Sequence, residues 1–359
     1  MIESQIISDL AIPPGEYLEE VLEEMELNQA ELARRMGRPA QAINEIMKGD
    51  KAITPETSIQ LEKVLGVPAY IWATLESEYR LIKASQAEAE QAKEEEVLLD
   101  TFPYLELSKL RLVEKTRDPL TRIQNLRRFF GVASLFNLEG VKKYSPAFRQ
   151  STNNDISHES LATWLRAGAV MANEIECEKY SKDILLAKLA EIRSFTLDDE
   201  PRNFFPKLKR ILQQCGIALI VIPHFKKTHT TGATFWESKD KAVIMMSLRG
   251  SWADIFWFSL FHELGHILLH DKRITFLENG AADPALKKQE DDADNFSQKT
   301  LIPIKEFQEF KQKRDFSISS IQSFANSIGI APGVVTGRLH HEKCLPYTIN
   351  IGRIRYKWK

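Results

Sequence analysis

Apolar residues recur at helical spacing along most of this chain, and the places where that period changes divide it into parts. Between Gly15 and Met25 the positions Tyr17, Leu18, Val21, Leu22 and Met25 share one stripe, which predicts a helix with a single buried face. Asn28 can cap a second helix, with Glu31 three residues on as in a capping box, and Gly37 is its stop. A third helix runs from about Pro39 to Lys48, ahead of Gly49, and a fourth opens at Thr54-Pro55-Glu56 and closes at Gly66. Short helices joined by tight turns suit a helix-turn-helix module, expected over residues 1–80.

From Trp72 to Leu99 the pattern loses its apolar stripe and becomes rich in Ala, Gln and Glu. It reads as a solvated helix, with 81–104 as a connector and the domain boundary near residue 100. Helical spacing returns in Leu120 to Phe130, Ser160 to Ile175, Ser181 to Ile192 and Asn203 to Cys215, with Asn153 to His158 as a turn-rich loop. His158, just before a helix, is read as a capping or exposed residue. The period then shortens. Ile217 to Ile222, Thr231 to Trp236 and Ala242 to Leu248 read as strands, the last two as a hairpin around Glu237 to Lys241. Gly232 to Trp236 is the expected edge strand for holding an extended peptide. His224 and His229 near it are expected to be exposed loop residues.

Asp254 to Leu269 then reads as one unbroken apolar helix that nevertheless contains His262, Glu263 and His266. Residues four apart share a helix face, so both imidazoles can reach one ion while Glu263 sits beside it. This H-E-x-x-H spacing suits Zn²⁺, which takes neutral imidazole nitrogens and lowers the pKa of a bound water to about 7, with the carboxylate as proton acceptor. With 8 His in 359 residues, chance produces such a match on the order of 0.01 times per chain. His270 is read as a cap at the helix C-terminus.

A third ligand should follow. Glu290 to Pro303 forms a second amphipathic helix, with Leu286, Ala293, Phe296, Thr300 and Leu301 on its buried side. Glu290 shares that side and can face the metal, while Asp294 can orient a ligating histidine and Asp291 and Asp292 face outward. Acids at a helix start also complement its dipole. Arg338, His340 and His341, after the helix from Ser317 to Gly329, are candidate transition-state donors. The closing Arg353-Ile-Arg-Tyr-Lys-Trp-Lys359 is basic and aromatic, expected as a solvated tail over 351–359.

Composition narrows the class. A hydrophobic share of 43% is ordinary for a globular chain, and a formal charge of -2 means that nucleic acid must be met by a local patch. Three scattered cysteines, Cys177, Cys215 and Cys344, argue against a disulfide framework and for reduced thiols in the cytoplasm. No secretory signal or bilayer-spanning stretch is expected. On the third helix Ile43 and Ile46 should face the core. Gln41, Asn44, Glu45 and Lys48 should face outward, with Arg34, Arg38, Lys48 and Lys51 where phosphates would be met and Gln29 as a further DNA-binding residue. The same face can serve as the solvated side of an interaction bundle.

Two resemblances attach to these residues. Gln29-Ala-Glu-Leu-Ala-Arg-Arg-Met-Gly37, Ile43-Asn-Glu-Ile46, Gly49, Ala52-Ile-Thr-Pro-Glu56 and Ala69-Tyr-Ile-Trp72 resemble the HigA-type antitoxins of the Xre, lambda-repressor-like superfamily. That resemblance implies a homodimer on a double-stranded DNA operator and a toxin-like partner. His262-Glu-Leu-Gly-His266, Leu268-Leu-His270 and Glu290-x-x-Ala-Asp-x-Phe296 with Leu301-Ile-Pro303 resemble the ImmA/IrrE metallopeptidases. So do Ala147-Phe-Arg149, Leu161-Ala-Thr-Trp-Leu-Arg166 and Gly337-Arg-Leu339. This second resemblance implies a peptidase over 105–350, with His262, His266 and Glu290 as zinc ligands and Glu263 as general base or acid. Its implied substrate is a repressor-type transcription factor.

The expected fold is α+β and mostly α: a helix-turn-helix bundle, then a zincin-like helical domain with a small β-sheet. The expected function is a DNA-binding regulator with a zinc endopeptidase domain that cleaves a partner protein. The alternative is a non-catalytic, antitoxin-like repressor whose zinc domain is structural or sensory. Self-cleavage near 90–104 is a third possibility.

Overall fold

The computed structural model describes residues 10–141, 157–247, 251–271, 275–277 and 287–358. The chain divides into two compact units, Met1–Glu96 and Val97–Lys359. Ala147 to Arg149, most of the loop from Asn153, and Leu248, Leu286 and Lys359 lie outside the described residues.

In the first unit the capping chemistry sets the helix limits. These are α1 (Pro14–Glu24), α2 (Gln29–Met36), α3 (Ala40–Met47), α4 (Pro55–Leu65) and α5 (Ala69–Glu94). The Asn28 side-chain oxygen accepts from the Glu31 amide at 2.9 Å, and Thr54 accepts from the Thr57 amide at 3.3 Å, each satisfying a donor that the helix start leaves without a partner. Leu18, Leu22, Leu32, Ile43, Ile46 and Leu61 interlock in the core. Gly15 permits the close approach of α1 to the end of α3, since a Cβ there would lie 1.9 Å from the Met47 carbonyl oxygen.

The start of α5 departs from the expected solvated helix. Trp72, Glu76 and Tyr79 are buried, Trp72 joins the bundle core, and Arg80 donates to the Gly49 carbonyl at 3.1 Å. Trp72 and Tyr79 are seven residues apart and so share a face. Two aromatics among many charges bury that face without leaving a strong periodic pattern.

The second unit opens with α6 (Tyr104–Lys109), α7 (Pro119–Phe130), α8 (His158–Asn173), α9 (Lys182–Ser194) and α10 (Pro201–Gln214). His158 is the first residue of α8; the cap is Ser157, which accepts from the Ser160 amide at 3.1 Å. Strands β1 (Ile217–Ile222), β2 (Gly232–Ser238), β3 (Lys241–Ser247) and β4 (Phe276–Leu277) form a sheet in the order β1-β3-β2-β4. β2 and β3 are the expected antiparallel hairpin, whereas β1 and β3 pair in parallel. Residues of β3 alternate between two covered faces. Ala242, Ile244 and Met246 join the core that includes α11 (Ala253–Leu269), and Met245 lies against Gly168 of α8. Such double burial explains why β3 reads as a continuous apolar run.

Two expectations fail here. Gly232 to Trp236 is not the edge of the sheet, because β4 pairs with it through Ala233↔Leu277 and Thr234↔Phe276. A two-residue strand is too short to leave an alternating pattern in sequence. The closing segment is also not a solvated tail. Trp257 Nε1 donates to the Tyr356 hydroxyl at 2.7 Å, and Ala253 and Tyr356 exchange backbone bonds with Ile354 and Ser251 at 3.0 and 2.7 Å. Tyr356 and Trp358 pack against Phe256, and Arg353 holds Asp254 at 2.8 Å. The basic and aromatic residues are therefore a strap across the start of α11. Burial pushes the Asp254 carboxyl up against the opposing pull of Arg353. The chain continues with α12 (Lys287–Leu301), α13 (Ile304–Gln312), α14 (Ile318–Ile328) and α15 (Pro332–His341). Among the described residues no helix is long and apolar enough to cross a membrane.

Removing one partner of a buried pair leaves an uncompensated charge. Arg353→Met should therefore destabilise the second unit by about 3–5 kcal/mol, measured by urea unfolding with tryptophan fluorescence. Adding Asp254→Asn to that variant should restore part of the loss.

Candidate metal centre and nucleic-acid interface

Helices α11 and α12 are brought together by a close backbone approach. At Gly265, in the middle of the H-E-x-x-H turn, a Cβ would lie 3.1 Å from Ala293 Cα and 3.2 Å from the Phe296 ring. Ser297 adds a bond across the same seam, its hydroxyl donating to the Phe258 carbonyl at 2.8 Å. This seam fixes Glu290 opposite the two histidines.

His262 Nε2 and His266 Nε2 are 2.9 Å apart, and the Glu290 carboxylate lies 3.2 Å from the first and 3.6 Å from the second. Together they form a His, His, Glu group whose ligand atoms lie within 4.8 Å of one another. Zinc ligands at about 2.0–2.1 Å in tetrahedral directions stand roughly 3.3 Å from each other, so the observed spacings bracket those of a zinc site. The donor chemistry fits as well. Asp294 Oδ1 lies 2.8 Å from His262 Nδ1, which places the ring proton on Nδ1 and leaves the Nε2 lone pair facing inward. Burial holds His266 down at about 4, a neutral imidazole. Burial pushes the Glu290 carboxyl up, but the His262 and His266 rings beside it outweigh that and hold the group at about 2. Lone pairs thus converge with a carboxylate, the arrangement a cation satisfies.

Glu263 is fully buried beside this group, and its Oε2 accepts from the Thr234 hydroxyl of β2. His266 is stacked under Phe276 of β4, with centroids 3.9 Å apart and planes at 16°. Cross-strand partners on one sheet therefore touch the candidate base and a candidate ligand. Neither contact was foreseen in sequence, although Thr234 is a polar residue buried in an otherwise apolar strand. His270 caps the C-terminus of α11 as expected, its backbone N–H bonding to the His266 carbonyl, and its Nδ1 lies 3.0 Å from His266 Nδ1 as well.

Arg338 and His341 line a cleft of about 270 Å³ together with His262, Ser259, Asp294 and Gln298. His340 points elsewhere, to the Ile349 carbonyl at 2.8 Å. The Arg338 guanidinium grips Glu342 through Nε at 2.8 Å and Nη2 at 2.6 Å, and Lys311 binds the same carboxylate. Asp291 and Asp292 are exposed, as is His224, and His229 is half-buried; none of these is in the metal-ligand group.

On the first unit, Gln41, Asn44 and Lys48 are exposed on one side of α3, opposite the buried Ile43 and Ile46. Glu45 accepts from Gln41 Nε2 at 3.0 Å and lies 3.8 Å from Lys51 Nζ. Gln29 is exposed at the start of α2, while Arg38 donates to Gln60 at 2.6 Å. Arg34 pairs with Glu31 at 2.7 Å.

With this geometry established, comparison with known proteins defines the class. Residues 18–72 match the helix-turn-helix family model and residues 214–339 the IrrE N-terminal-like domain, a peptidase family. The HTH-type transcriptional regulator YddM of Escherichia coli is 30% identical over 73 residues, covering 20% of this chain and 78% of that protein. Virulence-associated protein I of Dichelobacter nodosus is 36% identical over 77 residues, covering 21% and 71%. A solved structure of the Pseudomonas aeruginosa antitoxin HigA with the higBA promoter is 33% identical, covering 24% of this chain and 95% of that one, with a TM-score of 0.23. The chain belongs to the helix-turn-helix regulators through its first unit, and its second unit carries the IrrE N-terminal-like domain of a metallopeptidase family. Leu161 to Arg166 lies outside the matched residues.

Because Gly265 lets the two helices touch, Gly265→Leu should force them apart. The expected cost is about 1–3 kcal/mol of stability, together with at least a tenfold loss of zinc affinity in a chelator competition assay.

Proposed function

We propose that this protein is a DNA-binding transcriptional regulator whose second unit is a zinc-dependent endopeptidase acting on a protein partner such as a repressor. The convergence of His262, His266 and Glu290 carries this reading. Zinc bound there supplies a Lewis acid that polarises the scissile carbonyl and makes water acidic near neutral pH. Glu263, held at Oε2 by Thr234, takes the proton from the attacking water and delivers it to the departing amine. Its full burial strengthens its electrostatic interactions there. Asp294 keeps His262 in the ligating tautomer. Arg338 and His341 line the adjoining cleft and are the proposed stabilisers of charge on the carbonyl oxygen.

The first unit binds operator DNA through α3. Asn44 is exposed and suited to a bidentate contact with adenine; the Gln41 side-chain amide donates one hydrogen bond to Glu45. Gln29, Arg38 and Lys48 lie where phosphates would be met. A homodimer on paired half-sites fits this module, and the free cysteines suit the cytoplasm. We place the DNA-binding domain at 1–80, the connector at 81–104 and the peptidase at 105–350, with the strap of residues 353–358 joined to that last domain.

Glu263→Gln separates the peptidase from a non-catalytic repressor. Incubating wild type with proteins encoded beside it should yield fragments by mass spectrometry, and the variant should cut about 10²–10⁴-fold more slowly while still binding zinc. If neither protein makes fragments and both regulate alike, the antitoxin-like reading stands instead. Appearance of a fragment of the chain itself, cut near 90–104, would mark self-cleavage.

For the DNA-binding unit, Asn44→Ala should weaken operator binding by about 1–3 kcal/mol and relax specificity at one base pair. Lys48→Ala should weaken all sequences alike and reduce the salt slope by about 1, read by fluorescence anisotropy across a salt series.

A further inference from the structure

His262 and His266 are both candidate ligands, yet their outer nitrogens meet different partners. His262 Nδ1 faces the Asp294 carboxylate at 2.8 Å. His266 Nδ1 faces another imidazole, His270 Nδ1, at 3.0 Å. An imidazole can present its Nε2 lone pair to a metal only when the proton sits on Nδ1, and that proton then needs an acceptor. Among the described residues His270 Nδ1 is the hydrogen-bond partner of His266 Nδ1. Accepting there fixes His270 as the tautomer protonated on Nε2. Among the described residues that nitrogen has no hydrogen-bond partner, and the Asp292 Oδ2 lies 4.0 Å away.

We infer that His270 is a positioning residue for the metal centre. It accepts the Nδ1 proton of His266 and locks that ring in its ligating tautomer, with the Asp292 carboxylate as a nearby charge 4.0 Å from the outer nitrogen of His270. The inference rests on the zinc reading of the site. One ligand is then oriented by a carboxylate and the other by a histidine. The side-chain contact comes in addition to helix capping. His270 follows the last residue of α11, and its own backbone N–H returns to the His266 carbonyl at 3.1 Å, so the backbone bond and the side-chain bond meet the same residue. Phe276 packs over both rings, 3.9 Å from His266 at 16° and 5.2 Å from His270 at 40°. The phenyl ring thus covers one face of the paired imidazoles.

The test measures zinc affinity of the full chain by competition with a chromophoric chelator, in wild type and in His270→Leu, His270→Gln and Asp292→Asn. Loss of an orienting partner typically costs 10–100-fold in metal affinity. His270→Leu should therefore bind zinc about 10–100-fold more weakly. His270→Gln keeps a carbonyl oxygen that can accept the proton and should recover most of the loss, which a purely space-filling role would not predict. Asp292→Asn should fall between wild type and His270→Leu. Thermal unfolding of the metal-free proteins controls for folding; a variant that fails to fold is replaced by His270→Asn in the same assay. If His270→Leu matches wild type, or if leucine and glutamine lose affinity equally, the positioning role is overturned and the site keeps its ligands. If wild type itself takes up no zinc, while Glu290→Gln behaves identically, the metal reading fails and takes this inference with it.

Discussion

Lone pairs and a carboxylate aimed at one buried point repel each other, and the second unit is arranged to hold them there. The opposing force is packing. Gly265 and Ala293 let two helices approach closely, and Ser297 bonds one helix to a carbonyl of the other. Without that seam Glu290 would relax toward water, where its charge is better solvated. The strap of residues 353–358 acts on the same helix from its other end, covering Phe256 and Trp257 and neutralising Asp254. Between those fixed points α11 holds His262, Glu263 and His266 in an environment that is apolar on most sides.

Local chemistry made much of this legible in sequence. Asn28 and Thr54 announce helix starts because their side chains accept the amide three residues on, and Gly37 and Gly66 take the left-handed conformation at helix ends. The spacing of His262, Glu263 and His266 specifies a face, and the burial of Ala293 and Leu301 on the following helix shows why Glu290 could be singled out. What sequence did not reveal was long-range. Trp257 and Tyr356 are 99 residues apart, and no periodic pattern encodes such a contact. A short run of basic and aromatic residues looks like a solvated end until its partners are known. The partnership of β2 with β4 was hidden for a related reason, since two residues cannot establish an alternation.

The two units use polar residues in opposite ways. On α3 the buried Ile43 and Ile46 hold the helix in place so that Asn44 and Lys48 can remain exposed. In α11 the polar residues are buried and the surrounding apolar side chains support them. The first arrangement keeps hydrogen-bonding groups available to a large, wet, charged surface. The second removes water so that few charges act strongly over short distances. A chain with a formal charge of -2 can combine both, because each depends on local placement rather than on net charge.

The register of the sheet has a mechanical consequence. Thr234 and Phe276 are direct cross-strand partners, one touching the buried glutamate and the other lying on a histidine ring. Thr234 belongs to a strand held along its length by β3, whereas among the described residues Phe276 is held to β2 by two rungs. Because side chains alternate, a slip of one residue in that short ladder would swing the phenyl ring to the far face. The cover over the imidazole is thus set by the register of the sheet as much as by side-chain packing.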